Sequence, residues 1–236
     1  MPETTIAIIL AGGMGARVGA ETPKQFLELN GIPVLVRTVT TLMWCDRVIV
    51  VHHPEYLDLT HDLLEQAGLA SRVELVPGGA TRRQSVAAAL AALEDAGDNI
   101  ALVLQNAASP NTPRRLVEAC LGGLSTHDVV VAYVPAVHTI FSHDGRELSE
   151  VLPRSSLGYT ADPTVYRLGC LRRIVAAQAE GVGPGEMTID TARALRIPVL
   201  MVPSPETNLK LTNGNDMIVL QALFASADEG SSGARA

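Results

Sequence analysis

Aromatic residues, cysteines and positive charge are all scarce in this chain of 236 residues. Aromatic side chains make up 3% of it, and the formal net charge is −7. A nucleic-acid partner calls for a basic surface and often for stacking rings, so this composition argues against one. Anionic small molecules remain possible, because a local group of cations can lie within an acidic protein. With 47% hydrophobic residues, the chain can build one sizeable core, mainly from Ala, Val, Leu and Ile.

Cysteine pairs and long apolar runs are also missing from the sequence. Cys45, Cys120 and Cys170 are far apart and form no CxxC pair, which argues against a disulfide framework and against structural zinc. We expect them to be small buried residues in a reducing compartment. No basic segment precedes the first apolar run, and no run approaches the ~20 residues that a membrane helix needs. We therefore expect a cytoplasmic protein with no membrane partner.

Short apolar runs alternate with helical patterns along most of the chain. This alternation is typical of an α/β protein with a three-layer, Rossmann-like, mostly parallel sheet that helices cover on both faces. We predict one domain over residues 1–226. The predicted strands are residues 4–10, 47–51, 73–76, 100–104, 129–134 and 198–202. The predicted helices are residues 34–44, 55–67, 82–96, 113–121, 168–179, 188–195 and 215–225.

Two segments depart from this rhythm. Residues 135–163 carry proline, glycine and several polar residues, and we interpret them as a β-arm that protrudes from the main sheet. A hairpin turn is predicted within the arm at His143-Asp144-Gly145. Residues 227–236 are small and polar, so we predict a disordered tail there.

The loop after the first predicted strand has the composition of a phosphate-binding loop. Gly12, Gly13 and Gly15 allow backbone N–H groups to come close to phosphates. Arg17 and Lys24 add two cations, one fork-shaped and one point-like, to the same loop. Ligands of parallel sheets bind beyond the carboxyl ends of the strands, which is where this loop lies.

The loop does not match two familiar nucleotide motifs. A P-loop requires GxxxxGK[ST], which is missing here, and a dinucleotide fingerprint requires GxGxxG. Gly13 and Gly15 supply the first part of that fingerprint, but Val18 occupies the position of the third glycine. The second strand leads into His52-His53, which we expect to be solvated, and not into the acidic residue that a nicotinamide-dependent oxidoreductase needs. This oxidoreductase is the less favoured alternative, and a glycine turn without a ligand is another.

The pattern AGGxGxR followed by PKQ resembles that of nucleotidyltransferases of sugars and alcohol phosphates. More narrowly, residues 5–225 resemble the 2-C-methyl-D-erythritol 4-phosphate cytidylyltransferase family of isoprenoid synthesis. This resemblance implies that Arg17 and Lys24 bind the triphosphate of CTP and stabilise the transition state. It also implies a nucleotide site that includes Ala11, Gly12, Gly13 and Gly15.

Three further segments carry the resemblance. Residues 78–86 match GGxxRxxSV, which implies that Gly79, Ala80 and Ser85 surround the cytosine and ribose. Residues 207–212 match [DN]NxK[VIL]T, and the lysine of that motif, Lys210, contacts phosphate in the family. In the arm, Thr139 and Arg154 stand where family members bind the acceptor phosphate of the partner subunit. The resemblance therefore implies a homodimer.

The resemblance breaks down on the acceptor side. Asn106 replaces an aspartate that serves ribose, metal and substrate, and Ser109 replaces an arginine that binds the acceptor phosphate. In the arm, His138 and Phe141 replace an aspartate and a lysine. Further on, the family's LWxxxTPQ reads LGYTADPT. A pocket that has lost cations should suit a smaller, less anionic or more apolar acceptor.

The reaction that the resemblance implies is the attack of an acceptor oxygen on the α-phosphorus of CTP, with release of pyrophosphate. We expect Mg²⁺ to be held mainly by the nucleotide and water, with Asn106 as a weak ligand. We predict a phosphonate or another polyol phosphate as the acceptor. The usual acceptor of the family and a weakly active, nucleotide-binding paralogue remain open alternatives.

Overall fold

A seven-stranded sheet forms the centre of the molecule. The computed structural model of the chain describes residues 4–13 and 22–232. All six predicted strands are confirmed in this sheet, with ends that differ by at most two residues. They are β1 (Thr5–Ala11), β4 (Arg47–His52), β5 (Val73–Pro77), β6 (Ala101–Asn106), β7 (Val129–Pro135) and β11 (Val199–Pro203). These six strands run in one direction, so their carboxyl ends share an edge.

The seventh strand was not predicted. Gly158–Arg167, here β10, lies between β6 and β7 and is antiparallel to both. Its sequence contains Pro163, which argues against a central strand because proline donates no backbone hydrogen bond. The register of β10 against β7 shifts between Ala161 and Thr164, and this bulge accommodates Asp162 and Pro163. The arm predicted over residues 135–163 therefore ends earlier, where β10 begins.

The arm itself is a hairpin of β8 (Ile140–His143) and β9 (Leu148–Leu152). The turn lies where it was predicted. The Asp144 carboxylate accepts hydrogen bonds from the backbone N–H groups of Arg146 and Glu147, both at 2.9 Å, and Gly145 has a φ of +107°. A second small hairpin pairs β2 (Glu28–Leu29) with β3 (Ile32–Pro33).

Helices cover both faces of the sheet, as predicted. Neighbouring residues of β1 illustrate the layers: Ile9 packs in one buried cluster with residues of α1, α2 and α4, and Ile8 packs in the opposite cluster with residues of α3, α5 and α6. The helices are α1 (Val34–Leu42), α2 (Leu57–Gln66), α3 (Arg82–Ala91), α4 (Arg114–Gly123), α5 (Leu168–Ala179), α6 (Thr188–Ala194) and α7 (Gly214–Ser232). Short 3₁₀ helices occur at Lys24–Phe26, Pro54–Tyr56, Ala70–Arg72 and Arg154–Ser156.

The end of the chain differs from the prediction. The last helix was predicted over residues 215–225, but α7 runs to Ser232 and includes residues that the sequence assigned to a disordered tail. A helix that is already formed can extend into small polar residues at little cost. Residues 233–236 of that tail lie outside the described part of the chain. None of the helices described is both long enough and apolar enough to cross a membrane.

All three cysteines are buried and unpaired, as expected from their spacing. Burial raises the pKa of Cys45 and of Cys120 to about 12. It also raises the pKa of Cys170.

Candidate active site

A cleft of about 430 Å³ opens at the carboxyl ends of β1, β5 and β6. This is the edge at which parallel sheets bind ligands. The cleft brings together residues from four segments that the sequence singled out separately. Its wall contains Gly12, Gly13, Lys24, Gly79, Ala80, Ser85, Asn106 and Lys210. Ala11 ends β1 beside it, whereas Gly15 and Arg17 lie outside the described residues.

The start of the glycine loop is held in place by Gln25, to which sequence reasoning gave no role. Its side-chain amide donates hydrogen bonds to the carbonyl oxygens of Ala11 and Gly13, at 2.9 and 3.0 Å. Gln25 is only 3% exposed and also lines the cleft. Both amide hydrogens are therefore used to fix the backbone where β1 enters the loop. The PKQ motif contained this residue, but only the structure shows what it binds.

The second glycine turn leads into α3. Thr81 caps this helix: its hydroxyl accepts the N–H of Gln84, and the Gln84 side chain accepts the N–H of Thr81. The Ser85 hydroxyl donates to the carbonyl of Thr81 at 3.0 Å and accepts the N–H of Gly79 at 3.3 Å. The turn is close-packed, because a Cβ atom at Gly79 would lie 2.3 Å from Cβ of Gln84. Thr81 therefore caps α3 within the same segment that the sequence predicted to bind the nucleotide.

The cleft also concentrates positive charge. The full chain contains two lysines, Lys24 and Lys210, and both line the cleft. Arg82, in the first turn of α3, adds a third cation to the same wall. Its Nε atom is buried and has no hydrogen-bond partner among the described residues. An acidic chain therefore offers an anionic ligand three cations together with the positive end of a helix.

A carboxylate lies beside this group of cations. The Asn106 side-chain N–H₂ group lies 2.7 and 2.9 Å from the two carboxylate oxygens of Asp162. The Asn106 carbonyl oxygen accepts a hydrogen bond of 2.8 Å from Arg82. The Ser109 hydroxyl donates to the same carboxylate. Asn106 and Ser109 thus share the Asp162 carboxylate as a partner, although Ser109 does not line the cleft. Sequence reasoning gave Asp162 no role.

Comparison with known proteins agrees with this geometry. Residues 5–226 match the family model described as IspD: 2-C-methyl-D-erythritol 4-phosphate cytidylyltransferase. The chain belongs to this family. It is therefore a nucleotidyltransferase of the cytidylyltransferase type, as the sequence predicted.

Two relatives are similar to the chain over most of its length. The chain is 36% identical over 232 residues to the 2-C-methyl-D-erythritol 4-phosphate cytidylyltransferase of Thermobifida fusca (strain YX), covering 92% of each chain. It is 29% identical over 230 residues to the bifunctional ribulose 5-phosphate reductase/CDP-ribitol pyrophosphorylase Bcs1 of Haemophilus influenzae. That match covers 94% of this chain and 48% of the longer protein.

Solved structures share the fold. The 4-diphosphocytidyl-2C-methyl-D-erythritol synthase of Anaerococcus prevotii superposes with a TM-score of 0.81 at 19% identity, covering 95% of this chain and 100% of that chain. The 2-C-methyl-D-erythritol 4-phosphate cytidylyltransferase of Thermus thermophilus gives a TM-score of 0.72 at 25% identity, covering 94% of this chain and 98% of that chain.

In this cytidylyltransferase, the two arm residues that were predicted to bind substrate lie apart from the cleft. Thr139 and Arg154 are exposed and do not line it within one chain. Arg154 donates a hydrogen bond of 3.1 Å to the carbonyl of Val137, which fixes the base of the arm. The replaced residues His138 and Phe141 are exposed as well. One chain therefore forms the cleft without these two residues.

The predicted role of Asn106 as a magnesium ligand does not fit the geometry. Its carbonyl oxygen faces the Arg82 guanidinium, a permanent cation, and its N–H₂ group cannot bind a metal. In the described part of the chain, three ligand-type side chains approach one another at His61, Asp62 and Glu65. These are exposed and do not line the cleft.

The histidines after β4 were expected to be solvated, and this was wrong for His52. His52 is 3% exposed, and its backbone carbonyl accepts the N–H of Gly78 at 2.8 Å, which joins the end of β4 to the second glycine turn. His53 lines the cleft and packs against Tyr56, with ring centroids 5.7 Å apart. The HHP sequence gave no signal that separates a buried histidine from an exposed one.

Proposed function

We propose that this cytidylyltransferase transfers CMP from CTP to an oxygen of a phosphorylated alcohol or a phosphonate that differs from the acceptor in the family's name. One observation carries the proposal: Ser109 stands where the resemblance places an acceptor-binding arginine, and its hydroxyl donates to Asp162. The resemblance implies a cation at position 109, whereas the structure has a neutral serine there that contacts the anionic Asp162. The acceptor phosphate or phosphonate must therefore be bound without a cation at position 109, which should favour an acceptor that is smaller or less anionic than the usual one.

The reaction requires positioning and charge stabilisation more than acid–base chemistry. The attacking oxygen is already anionic, so no general base is needed. It forms a bond to the α-phosphorus of CTP, and the bond to the bridging oxygen breaks to release pyrophosphate. Lys24 and Lys210, with Arg17 from outside the described residues, would neutralise the charge on the α-phosphoryl group and the leaving group. Gly79, Ala80 and Ser85 would surround the base and ribose.

In this proposal, Mg²⁺ enters the site bound to the phosphates of CTP and not to a protein ligand. Mg²⁺ is commonly bound by substrate phosphates and water with few protein ligands. Because Asn106 is directed at Arg82, we assign no step of the reaction to a protein-bound metal.

The arm supports a homodimeric enzyme in the cytoplasm. The arm and the start of β10 expose apolar side chains that a lone chain would leave in water: Val137, Ile140, Phe141, Leu148, Val151 and Tyr159. Exposed apolar patches of this kind mark interaction sites. A second copy of the chain would cover them and would bring its Thr139 and Arg154 to the acceptor side of the cleft. The unpaired cysteines suit a reducing compartment.

The family's usual acceptor, 2-C-methyl-D-erythritol 4-phosphate, is the second candidate. It is favoured by the family match over residues 5–226 and by the relative of that name with 36% identity. The relative named as a CDP-ribitol pyrophosphorylase indicates that another polyol phosphate is compatible with this scaffold.

A pyrophosphate-release assay decides between the candidates. Purified protein with CTP and Mg²⁺ is tested against 2-C-methyl-D-erythritol 4-phosphate, D-ribitol 5-phosphate, 2-hydroxyethylphosphonate and 2-aminoethylphosphonate. We expect the highest kcat/KM with one of the last three. A highest value with 2-C-methyl-D-erythritol 4-phosphate would establish the usual reaction instead. Release with none of them, despite CTP binding, would favour a nucleotide-binding paralogue. ATP, GTP and UTP in place of CTP test the choice of base.

A further inference from the structure

The side-chain amide of Asn106 lies between two groups of opposite charge. An anion, Asp162, lies on one side of the amide, and a cation, Arg82, lies on the other. A carboxylate only accepts hydrogen bonds and a guanidinium only donates them. The amide of Asn106 therefore has one satisfactory orientation, with its N–H₂ group towards Asp162 and its oxygen towards Arg82. Reversing it would place like groups together at both ends.

Asp162 is itself held by contacts that do not involve its carboxylate. The side-chain N–H₂ group of Asn208 donates to the Asp162 backbone carbonyl at 2.6 Å. The oxygen of Asn208 accepts a hydrogen bond from Thr112 at 3.0 Å within a buried network. The register of β10 on β6 pairs Thr164 with Leu104, and continuing it by two residues brings Asp162 opposite Asn106. A change of the Asp162 side chain should therefore alter its charge without releasing the strand.

We propose that Asp162 is a positioning residue of the transfer site, which fixes the amide of Asn106 and, through it, the Arg82 guanidinium on the wall of the cleft. This inference rests on the proposed function, because it concerns the site where CMP transfer takes place. The carboxylate that the resemblance leads one to expect on β6, at position 106, is supplied instead by β10. A neutral amide accepts a hydrogen bond from Arg82, whose buried Nε has no partner among the described residues.

This arrangement makes a counter-intuitive prediction. Restoring the family's aspartate with Asn106→Asp should harm the enzyme, because two carboxylates would face each other at hydrogen-bonding distance. Such a pair retains one proton at a raised pKa. While that proton is present, the new O–H group can donate to Asp162 as the amide does. Activity of this variant should therefore fall as the pH rises and the shared proton is lost.

The experiment compares Asn106→Asp, Asp162→Asn and the exchanged pair N106D/D162N with the wild type. The matched control is Asp95→Asn, at an exposed position that does not line the cleft. The acceptor used is the one that gives the wild type its highest kcat/KM in the pyrophosphate-release assay. We expect each single change to lower kcat/KM for this acceptor by about 10- to 100-fold at neutral pH. The exchanged pair should recover most of this loss and should have the pH profile of the wild type. Thermal unfolding of every variant shows whether it folds.

A second readout keeps this inference distinct from the proposed function. CTP affinity, measured by calorimetry without any acceptor, should fall with rising pH in Asn106→Asp and recover in the exchanged pair. If the wild type turns over none of the acceptors, the proposed function fails while the calorimetry still tests Asp162. Losses in the two single variants that simply multiply in the exchanged pair would overturn the inference. A pH-independent Asn106→Asp variant with wild-type activity and CTP affinity would also overturn it.

Discussion

The side-chain amide of Gln25 lies 2.9 Å from the carbonyl oxygen of Ala11 and 3.0 Å from that of Gly13, and it fixes the backbone at the start of the glycine loop. We expect Gln25→Ala to weaken CTP binding by roughly tenfold, since losing about 1.4 kcal/mol of hydrogen bonding corresponds to that factor. Calorimetric titration with CTP measures the effect. Gln66→Ala, at an exposed position on α2, is the matched control. Equal CTP affinities of the two variants would show that the loop does not depend on Gln25.

The close approach of Gly79 to α3 gives a second prediction. Gly79→Ala would place a methyl group 2.3 Å from Cβ of Gln84, which is anchored in the helix. The capping turn must shift, so we expect weaker binding of CTP while the fold is retained. Gly97→Ala serves as the control, because a Cβ atom there would meet no atom within 4 Å. Unchanged CTP binding in Gly79→Ala would remove this turn from the nucleotide site.

The sequence was sufficient to predict the six parallel strands and the helices that cover them. Each of these strands is a short, nearly continuous apolar run that ends at glycine, proline or polar residues, and this pattern is a local signal. The loops at the strand ends could be predicted to converge because parallel strands share one carboxyl edge. Residues such as Gly13, Gly79 and Lys210 therefore meet in the cleft, as their motifs indicated.

The sequence was not sufficient to predict β10 or the role of Asp162. Aspartate followed by Pro163 has a low strand propensity, and only pairing with β6 and β7 on both sides makes that segment a strand. The contact between Asp162 and Asn106 spans 56 positions of the chain and depends on that pairing. The replacement of aspartate by Asn106 could therefore be seen in the sequence, but the carboxylate of Asp162 that binds the Asn106 amide could not be predicted.

The two lysines allow a chemical test of the cleft. An amine-selective acetylating reagent can modify Lys24, Lys210 and the chain's amino terminus. Acetylation removes the positive charge, so we expect it to abolish pyrophosphate release. We also expect bound CTP to protect both lysines from the reagent. Removal of a single donor of this kind typically costs ~10²–10³ in turnover. Mass spectrometry of the modified protein locates the labels.

A control separates general damage from loss of the site. The variant Lys24→Arg keeps a charge but cannot be acetylated at that position, so only Lys210 should then be protected by CTP. If acetylation at both lysines leaves turnover intact, neither ammonium group takes part in transfer. Protection by ATP as strong as that by CTP would count against a cytidine-selective cleft.

The buried thiols should be inert in the native enzyme. Burial raises the pKa of Cys45 and Cys120 from 9.0 to about 12, so both remain protonated in the folded state throughout the neutral range. The thiolate is the reactive form, and a thiol reagent at pH 8 should therefore label none of the three cysteines until denaturant is added. Fast labelling of the native protein would contradict the packing described here.

The same shifts make folding pH-dependent on the alkaline side. Unfolded thiols ionise near their ordinary pKa of 9.0, whereas the folded thiols of Cys45 and Cys120 do so near 12. Their contribution to stability is complete below pH 9 and declines as the pH rises towards 12. Cys120→Ala, compared with the wild type by denaturant unfolding at pH 8 and at pH 10, should show a smaller decline. An identical decline in both proteins would mean that this thiol does not contribute.

The arm provides the test of assembly. Phe141 is 48% exposed at the side of the hairpin, and we expect Phe141→Asp to convert a dimer into a monomer, because a charge cannot be buried in an apolar contact without a partner. Sedimentation equilibrium measures the mass. The matched control Ser142→Asp adds the same charge at the neighbouring exposed position of β8. A wild-type protein of monomeric mass would rule out the shared site.

Mixing two inactive variants tests whether one site draws on both chains. Lys24 lines the cleft of its own chain, whereas Arg154 lies on the arm and does not line it. If Arg154 serves the partner's acceptor, then Lys24→Ala and Arg154→Ala should each be inactive as homodimers. After unfolding and refolding together, the mixed dimer should contain one site with both residues intact and should regain pyrophosphate release. If Arg154 acts within its own chain, no site in the mixed dimer is intact and the mixture stays inactive.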